Sequence, residues 1–144
     1  MQIQLFPETD RLLTEEAYAV YRQCMYKPTY EIYLKKMNEF IGTSDIFIYS
    51  GNIDGQMAGI IVLERQDINN AEIVGIAVSA DYQRRGIGRA LIEGAAKSLN
   101  LKCVYAETDD DAAGFYRAAG FVLDKEIKHY PDGDCIRYNC KLTL

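Results

Sequence analysis

The run "AEIVGIAV", Ala71 to Val78, constrains the fold of this chain more than any other segment. It is almost unbroken in apolar residues, as expected of a strand near the middle of a sheet and buried on both faces. Gly75 inside it marks a bulge or a point where another group comes close to the backbone. A loop follows, "SADYQRRGIG", and then a helical pattern with a stripe at Ile87, Ala90, Leu91, Gly94, Ala95 and Ser98. On its other side Arg89, Glu93 and Lys97 follow at i, i+4. With the next β-rich segment, "CVYAE", this makes a strand–helix–strand unit.

The flanking segments show what sheet the unit belongs to. "MQIQLF" reads as a short first strand. Thr14 caps a helix with apolar positions Ala17, Val20, Tyr21, Cys24 and Met25, broken by Pro28, and Thr29 caps a second through Tyr33, Met37, Phe40 and Ile41, stopped at Gly42. "DIFIYSG" and "QMAGIIVLE" form a hairpin around Asp54-Gly55. "TDDDAAGFYRAAG" is a short helix with an acidic first turn, and "FVLDKEIKHY" with "CIRYNCKL" makes a hairpin around "PDGD". Three β runs precede the first strand–helix–strand unit, so a purely parallel doubly wound sheet is excluded in favour of a mixed sheet with helices on its faces.

The chain of 144 residues reads as one domain over 1–144. Its 16 basic and 21 acidic residues give a net charge of −5, which argues against a nucleic-acid binder. Four cysteines, none in a C-x-x-C pair, and a single distant histidine, His129, predict no metal site. The first residues carry no secretory pattern, and no apolar run approaches the ~20 residues of a bilayer span. The expectation is a cytoplasmic protein with reduced thiols, monomeric or homodimeric, without membrane or nucleic-acid partners.

Against that acidic background "QRRGIGR" stands out. Arg84, Arg85 and Arg89 crowd a helix start, where the dipole already disfavours positive charge. A bound polyanion relieves the conflict, whereas a simple turn at Gly86 and Gly88 does not explain it. A Rossmann site would place G-x-G-x-x-G/A directly after a strand. Here Leu91 occupies the third position and seven residues separate the strand from Gly86, although Glu107 stands where a ribose-binding acid would. A P-loop fails for want of Gly-Lys-Ser/Thr.

Gln83-Arg84-Arg85-Gly86-Ile87-Gly88 resembles the Q/R-x-x-G-x-G/A signature of the GNAT superfamily of acetyl-CoA-dependent N-acetyltransferases, and "DDDAAGFYRAAGF", Asp109 to Phe121, resembles that family's N-x-x-A-x-x-F-Y-x-x-x-G-F block. The resemblance implies a mixed, mainly antiparallel central sheet with helices on both faces. It implies acetyl-CoA as cosubstrate, its pyrophosphate on the backbone of Arg84, Arg85, Gly86, Ile87, Gly88 and Arg89 beside Gln83. Its pantetheine arm would run along Ile76, Ala77 and Val78, with a backbone N–H near Ala77 or Val78 on the thioester carbonyl. It implies Tyr116 as the acid that protonates the departing thiolate, and Glu72 as the base for an amine acceptor, with Glu64 a competitor. The family's usual Asn is Asp109 here, a carboxylate that can cap the helix but cannot donate as an amide does. "CMYKPTYE" and "HYPDGDC" are the expected walls of the acceptor pocket. A non-catalytic acyl-CoA-binding module stays open as the alternative, and a nucleotide-dependent oxidoreductase as a more remote one.

Overall fold

The computed structural model describes residues 2–144, so Met1 of the expected opening strand lies outside the described residues. In chain order the elements are β1 (Gln4–Pro7), α1 (Glu15–Tyr21), α2 (Tyr30–Ile41), β2 (Ile46–Ile53), β3 (Gln56–Arg65), β4 (Asn70–Val78), α3 (Ile87–Ser98), β5 (Cys103–Thr108), α4 (Asp110–Ala118), β6 (Val122–Tyr130) and β7 (Gly133–Thr143). The strands form one sheet in the order β1-β2-β3-β4-β5-β7-β6. Every pairing among the described residues is antiparallel except β4 with β5. The sheet is mixed and mainly antiparallel, and the helices cover both of its faces.

Local chemistry accounts for most boundaries. The Thr14 hydroxyl accepts from the Ala17 N–H (3.3 Å) and the Thr29 hydroxyl from the Ile32 N–H (3.1 Å), each meeting a donor left free in a helical first turn. The first helix is shorter than its apolar spacing suggests. It ends at Tyr21 and tightens into a 3-10 turn over Arg22–Cys24, leaving Met25 outside. Asp54 and Gly55 both have positive φ (51° and 80°), as a two-residue hairpin turn of the expected kind requires.

Two apolar layers sandwich the sheet. Leu91, Ile92, Ala95 and Ala96 of α3 pack with Tyr116 of α4 on one face, over Ile61 and Leu63. Ala17, Val20, Tyr21, Tyr33 and Met37 of α1 and α2 cover the other, over Ile60 and Val62. The strand buried on both faces is therefore β3, from Met57 to Leu63, and not the 71–78 run from which the sheet was first inferred. In β4 only Ala71, Ile73 and Ala77 are buried, and Val74 is exposed.

The reason lies in two irregularities of β4. Leu63 faces Ile73 while Val62 faces Gly75, so Val74 is an extra residue, a β-bulge. The extra residue switches which side chains face which layer. Ala71 and Ile73 before it, and Ile76 and Val78 after it, pack toward α3 and α4, whereas Ala77 packs toward α1 and α2. In addition, β4 pairs with β5 only at Asn70–Cys103, Ala71–Val104 and Glu72–Tyr105. Beyond Glu72 the two strands part. The apolar run is buried where it is paired and opens onto a gap where it is not.

Candidate active site

The loop after β4 returns to the sheet at once. Ser79 N–H donates to the Ala58 carbonyl (2.8 Å), and the Gln83 amide donates to the Val78 carbonyl (3.3 Å). Arg84 and Gly86 then take positive φ (63° and 77°), a sharp turn that aims the start of α3 at the end of β4. Gly86 stands at the N-cap and has no side chain to cap with, and no acidic residue occupies the first turn. The first N–H with an intrahelical partner is that of Ala90, which donates to Gly86 (3.1 Å). The N–H groups of Ile87, Gly88 and Arg89 are left facing a cavity of about 430 Å3 lined by Val78, Tyr82, Gln83, Arg84, Gly88 and Phe115 among others.

This start fits a pyrophosphate. A Cβ on Gly86 would project into open space, so the N-cap is left clear, while one on Gly88 would come within 2.7 Å of the Phe115 ring, so only glycine lets that ring lie so close to the helix start. Arg84 and Arg85 stay exposed before the helix, with the Arg85 guanidinium over the Tyr82 ring at 5.7 Å. Arg89 is drawn along the helix to Glu93 (2.8 Å).

The second cavity is the gap between the parted strands, about 840 Å3, and it meets the first at Val78 and Phe115. The residues Ile73, Val74, Gly75, Ile76 and Val78 form one wall, and Glu107, Thr108 and Asp109 form the other. With Ser79 bonded to β3, the alternation of an antiparallel ladder turns the N–H groups of Gly75 and Ala77 toward β3. Those of Ile76 and Val78 point into the gap, so of the anticipated pair Val78 is the one available. Tyr116 lines the same gap, and burial, reinforced by Cys140 and Cys24, pushes its hydroxyl up to about 12. It is a neutral proton donor at any working pH. Asp109 lines the gap too, but its carboxylate already accepts from the Ala112 N–H (3.1 Å) as the cap of α4.

Glu72 is placed apart from Tyr116. It sits where β4 and β5 are still paired, beside a smaller hollow lined by Gln66, Tyr105, Glu107 and Asn139. Burial, then the charges of Glu64 and Glu107, raise its carboxyl above the ordinary range. Glu107 lines both this hollow and the gap and connects them. Its own carboxyl is held low by hydrogen bonds from Lys128 (3.0 Å) and Arg137 (3.2 Å).

Sequence reasoning found part of the remaining wall. Cys24, Met25 and Tyr26 line the gap as "CMYKPTYE" suggested, while the "HYPDGDC" turn does not and holds its own His129–Asp134 pair (2.6 Å). Tyr21, Ile32, Lys36 and Phe115 line it without having been singled out. The apolar spacing of Tyr21 gave only a helix face toward a core, which is also true of it, whereas Ile32, Lys36 and Phe115 are exposed and carry no such signal.

A mainly antiparallel sheet beside an uncapped helix start is the arrangement that the two motif resemblances imply. The chain belongs to the acetyltransferase (GNAT) family, whose model matches residues 6–121. It is similar to an N-alpha-acetyltransferase of Sulfurisphaera tokodaii, 33% identical over 75 residues, a match covering 46% of this chain and 45% of that relative's length. Its fold is similar to that of the ribosomal-protein-S18-alanine N-acetyltransferase from Escherichia coli, with a TM-score of 0.75, 20% identity, and 99% and 94% of the two chains covered. It is also similar to a GNAT family acetyltransferase from Elizabethkingia anophelis with acetyl-CoA bound, with a TM-score of 0.68, 21% identity, and 99% and 98% covered. Residues 6–121 thus form an acetyltransferase domain of this family.

Proposed function

We propose that this chain transfers the acetyl group of acetyl-CoA to a primary amine, by direct attack of the amine on the thioester. The observation that carries the reading is the continuity of the two cavities. The free N–H groups of Ile87, Gly88 and Arg89 open into the same gap that holds Tyr116 and the outward N–H groups of Ile76 and Val78. Bound acetyl-CoA supplies the activated acetyl group. Arg84, Arg85 and the start of α3 hold the pyrophosphate, with Gln83 fixing the loop, while the edge of β4 from Ile76 to Val78, unpaired with β5, orients the pantetheine arm. The Val78 or Ile76 N–H polarises the thioester carbonyl.

The balance of the step assigns the titratable groups. The amine nitrogen forms a bond to the carbonyl carbon, the carbon–sulfur bond breaks, and the departing sulfur takes the Tyr116 proton. The amine loses one proton, which Glu72 accepts through water along Glu107, and solvent exchange returns Tyr116 to its neutral form. A carboxyl raised toward working pH suits the base role. Met25, Tyr26, Ile32 and Lys36 form the acceptor's wall, and Glu107 and Asp111 give it a negative side suited to an amine. The S. tokodaii and E. coli proteins, an N-alpha-acetyltransferase and an alanine N-acetyltransferase, make chain-terminal amines the first acceptors to try. A cytoplasmic setting belongs to the same proposal, supported by four unpaired cysteines. Release of coenzyme A thiol from acetyl-CoA, measured across a library of peptides, polyamines and amino sugars, tests the reading. Turnover with at least one amine supports it, and binding without release under every amine leaves a binding module.

A further inference from the structure

The gap holds a second phenol that the mechanism above does not use. Tyr21 ends α1, is 1% exposed, and packs its ring against Tyr33 with 5.9 Å between ring centres. That packing needs only the ring. The hydroxyl leaves it and lies over Gly75, at the bulge of β4, where any Cβ would collide with the oxygen. Gly75 thus answers the question its place in the strand raised: the group that approaches the backbone here is the Tyr21 hydroxyl.

The hydroxyl and the outward N–H of Ile76 both lie on the side of the Cys24 thiol, near enough for each to influence it. Two donors from different elements, a phenol and a backbone N–H, converge on one point at the unpaired edge of β4. Tyr21, Cys24, Ile76 and Tyr116 all line the one cavity. Tyr116 reaches the gap from the α3/α4 layer and Tyr21 from the α1/α2 layer, so one phenol stands on each side of the edge where the thioester would lie. A thiol sulfur is a weak acceptor for such a pair. A carbonyl oxygen gathering negative charge is a strong one, and donors fixed beforehand around its position lower the barrier most.

We propose that Tyr21 is a second donor to the thioester carbonyl oxygen, acting with the Ile76 N–H, and that the Cys24 sulfur holds that position in the ligand-free chain. The proposal rests on the acetyl-CoA reading above. Burial drives the Tyr21 hydroxyl far above the ordinary tyrosine range, so it donates without ionising. Cys24 is an exposed residue, but desolvation of its thiol on the side of the gap raises it, which keeps it a neutral, displaceable acceptor.

The test reads the carbonyl itself. Acetyl-CoA carrying carbon-13 at the thioester carbonyl is bound without acceptor to wild type, Tyr21→Phe and Cys24→Ala, and followed by isotope-edited infrared spectroscopy, with its Kd measured by calorimetry. The expected result is a carbonyl band at lower frequency in wild type and Cys24→Ala than in Tyr21→Phe, with similar Kd values in all three. With an acceptor present, kcat of Tyr21→Phe falls by about a hundredfold, the size of losing one such donor. An identical band in wild type and Tyr21→Phe overturns the proposal, as does a band that moves only in Cys24→Ala. Absence of any acetyl-CoA binding to wild type would overturn the cosubstrate reading itself, and this proposal with it.

Discussion

The starts of α3 and α4 are built in opposite ways. The start of α4 is closed by its own sequence: Asp109 caps the Ala112 N–H, and Asp110 and Asp111 place negative charge on the positive end of the helix dipole. At α3 a glycine stands where the cap would be, the first turn holds no acid, and arginines lead in. A helix that leaves its N-terminus unmet and surrounds it with positive charge is less stable alone and is completed by an anion. The two helices therefore divide the work. On the proposed reading the start of α3 binds the cosubstrate, while α4 caps its own start and holds Tyr116 in the gap.

Four substitutions separate those roles, and the largest effect belongs to α3. Gly88→Val should weaken acetyl-CoA binding about a hundredfold by calorimetry, some 2.7 kcal/mol, because the added carbons crowd the Phe115 ring and fill the cradle. If affinity is kept, α3 is not the binding helix. Tyr116→Phe should do the reverse, leaving acetyl-CoA affinity intact and lowering kcat about tenfold or more. Unchanged turnover at saturating substrate would remove Tyr116 from the chemistry.

Glu72→Gln tests the base. A base works deprotonated, so the wild-type rate should fall as pH drops through the raised Glu72 value, above the ordinary glutamate range. The variant should lose that limb, and an unaltered pH profile would exclude Glu72. The same shift has a stability consequence of opposite sense. A carboxyl raised in the folded state binds more protons there than when unfolded, so its contribution falls as pH rises through the window between the two values. The Tm of Glu72→Gln should therefore gain on wild type from pH 4 to pH 7. The smallest effect is at α4. Asp109→Ala should cost about 1 kcal/mol in urea unfolding, the usual value of a cap, with acetyl-CoA affinity little changed. A large loss of affinity instead would mean that the start of α4 also binds.

Local features were legible in the residues. Thr14, Thr29 and Asp109 cap helices because a side-chain oxygen needs only its own next turn, and Asp54-Gly55 turns the hairpin for the same local reason. The uncapped Gly86 among arginines could be read equally directly. The parting of β4 from β5 could not, because it depends on where two strands some 30 residues apart stop pairing. The same run was therefore expected to be buried throughout, when half of it forms a wall of the gap. Tyr116 and Glu72 could each be picked out, but their separation into different hollows follows from that parting. Tyr21 shows the limit most sharply. Its apolar spacing correctly places the ring in a core, and only Gly75, more than fifty positions on, leaves the space in which the hydroxyl lies.

The central claim is that the start of α3 and the unpaired edge of β4 together hold acetyl-CoA. Titration of the 15N-labelled protein with acetyl-CoA, followed amide by amide by NMR, tests it most directly. The largest shifts should fall on Ile87, Gly88 and Arg89 and on Ile76 and Val78, with the start of α4 at Asp110 and Asp111 moving less. Shifts centred on the α4 start, or on amides away from both cavities, would contradict it.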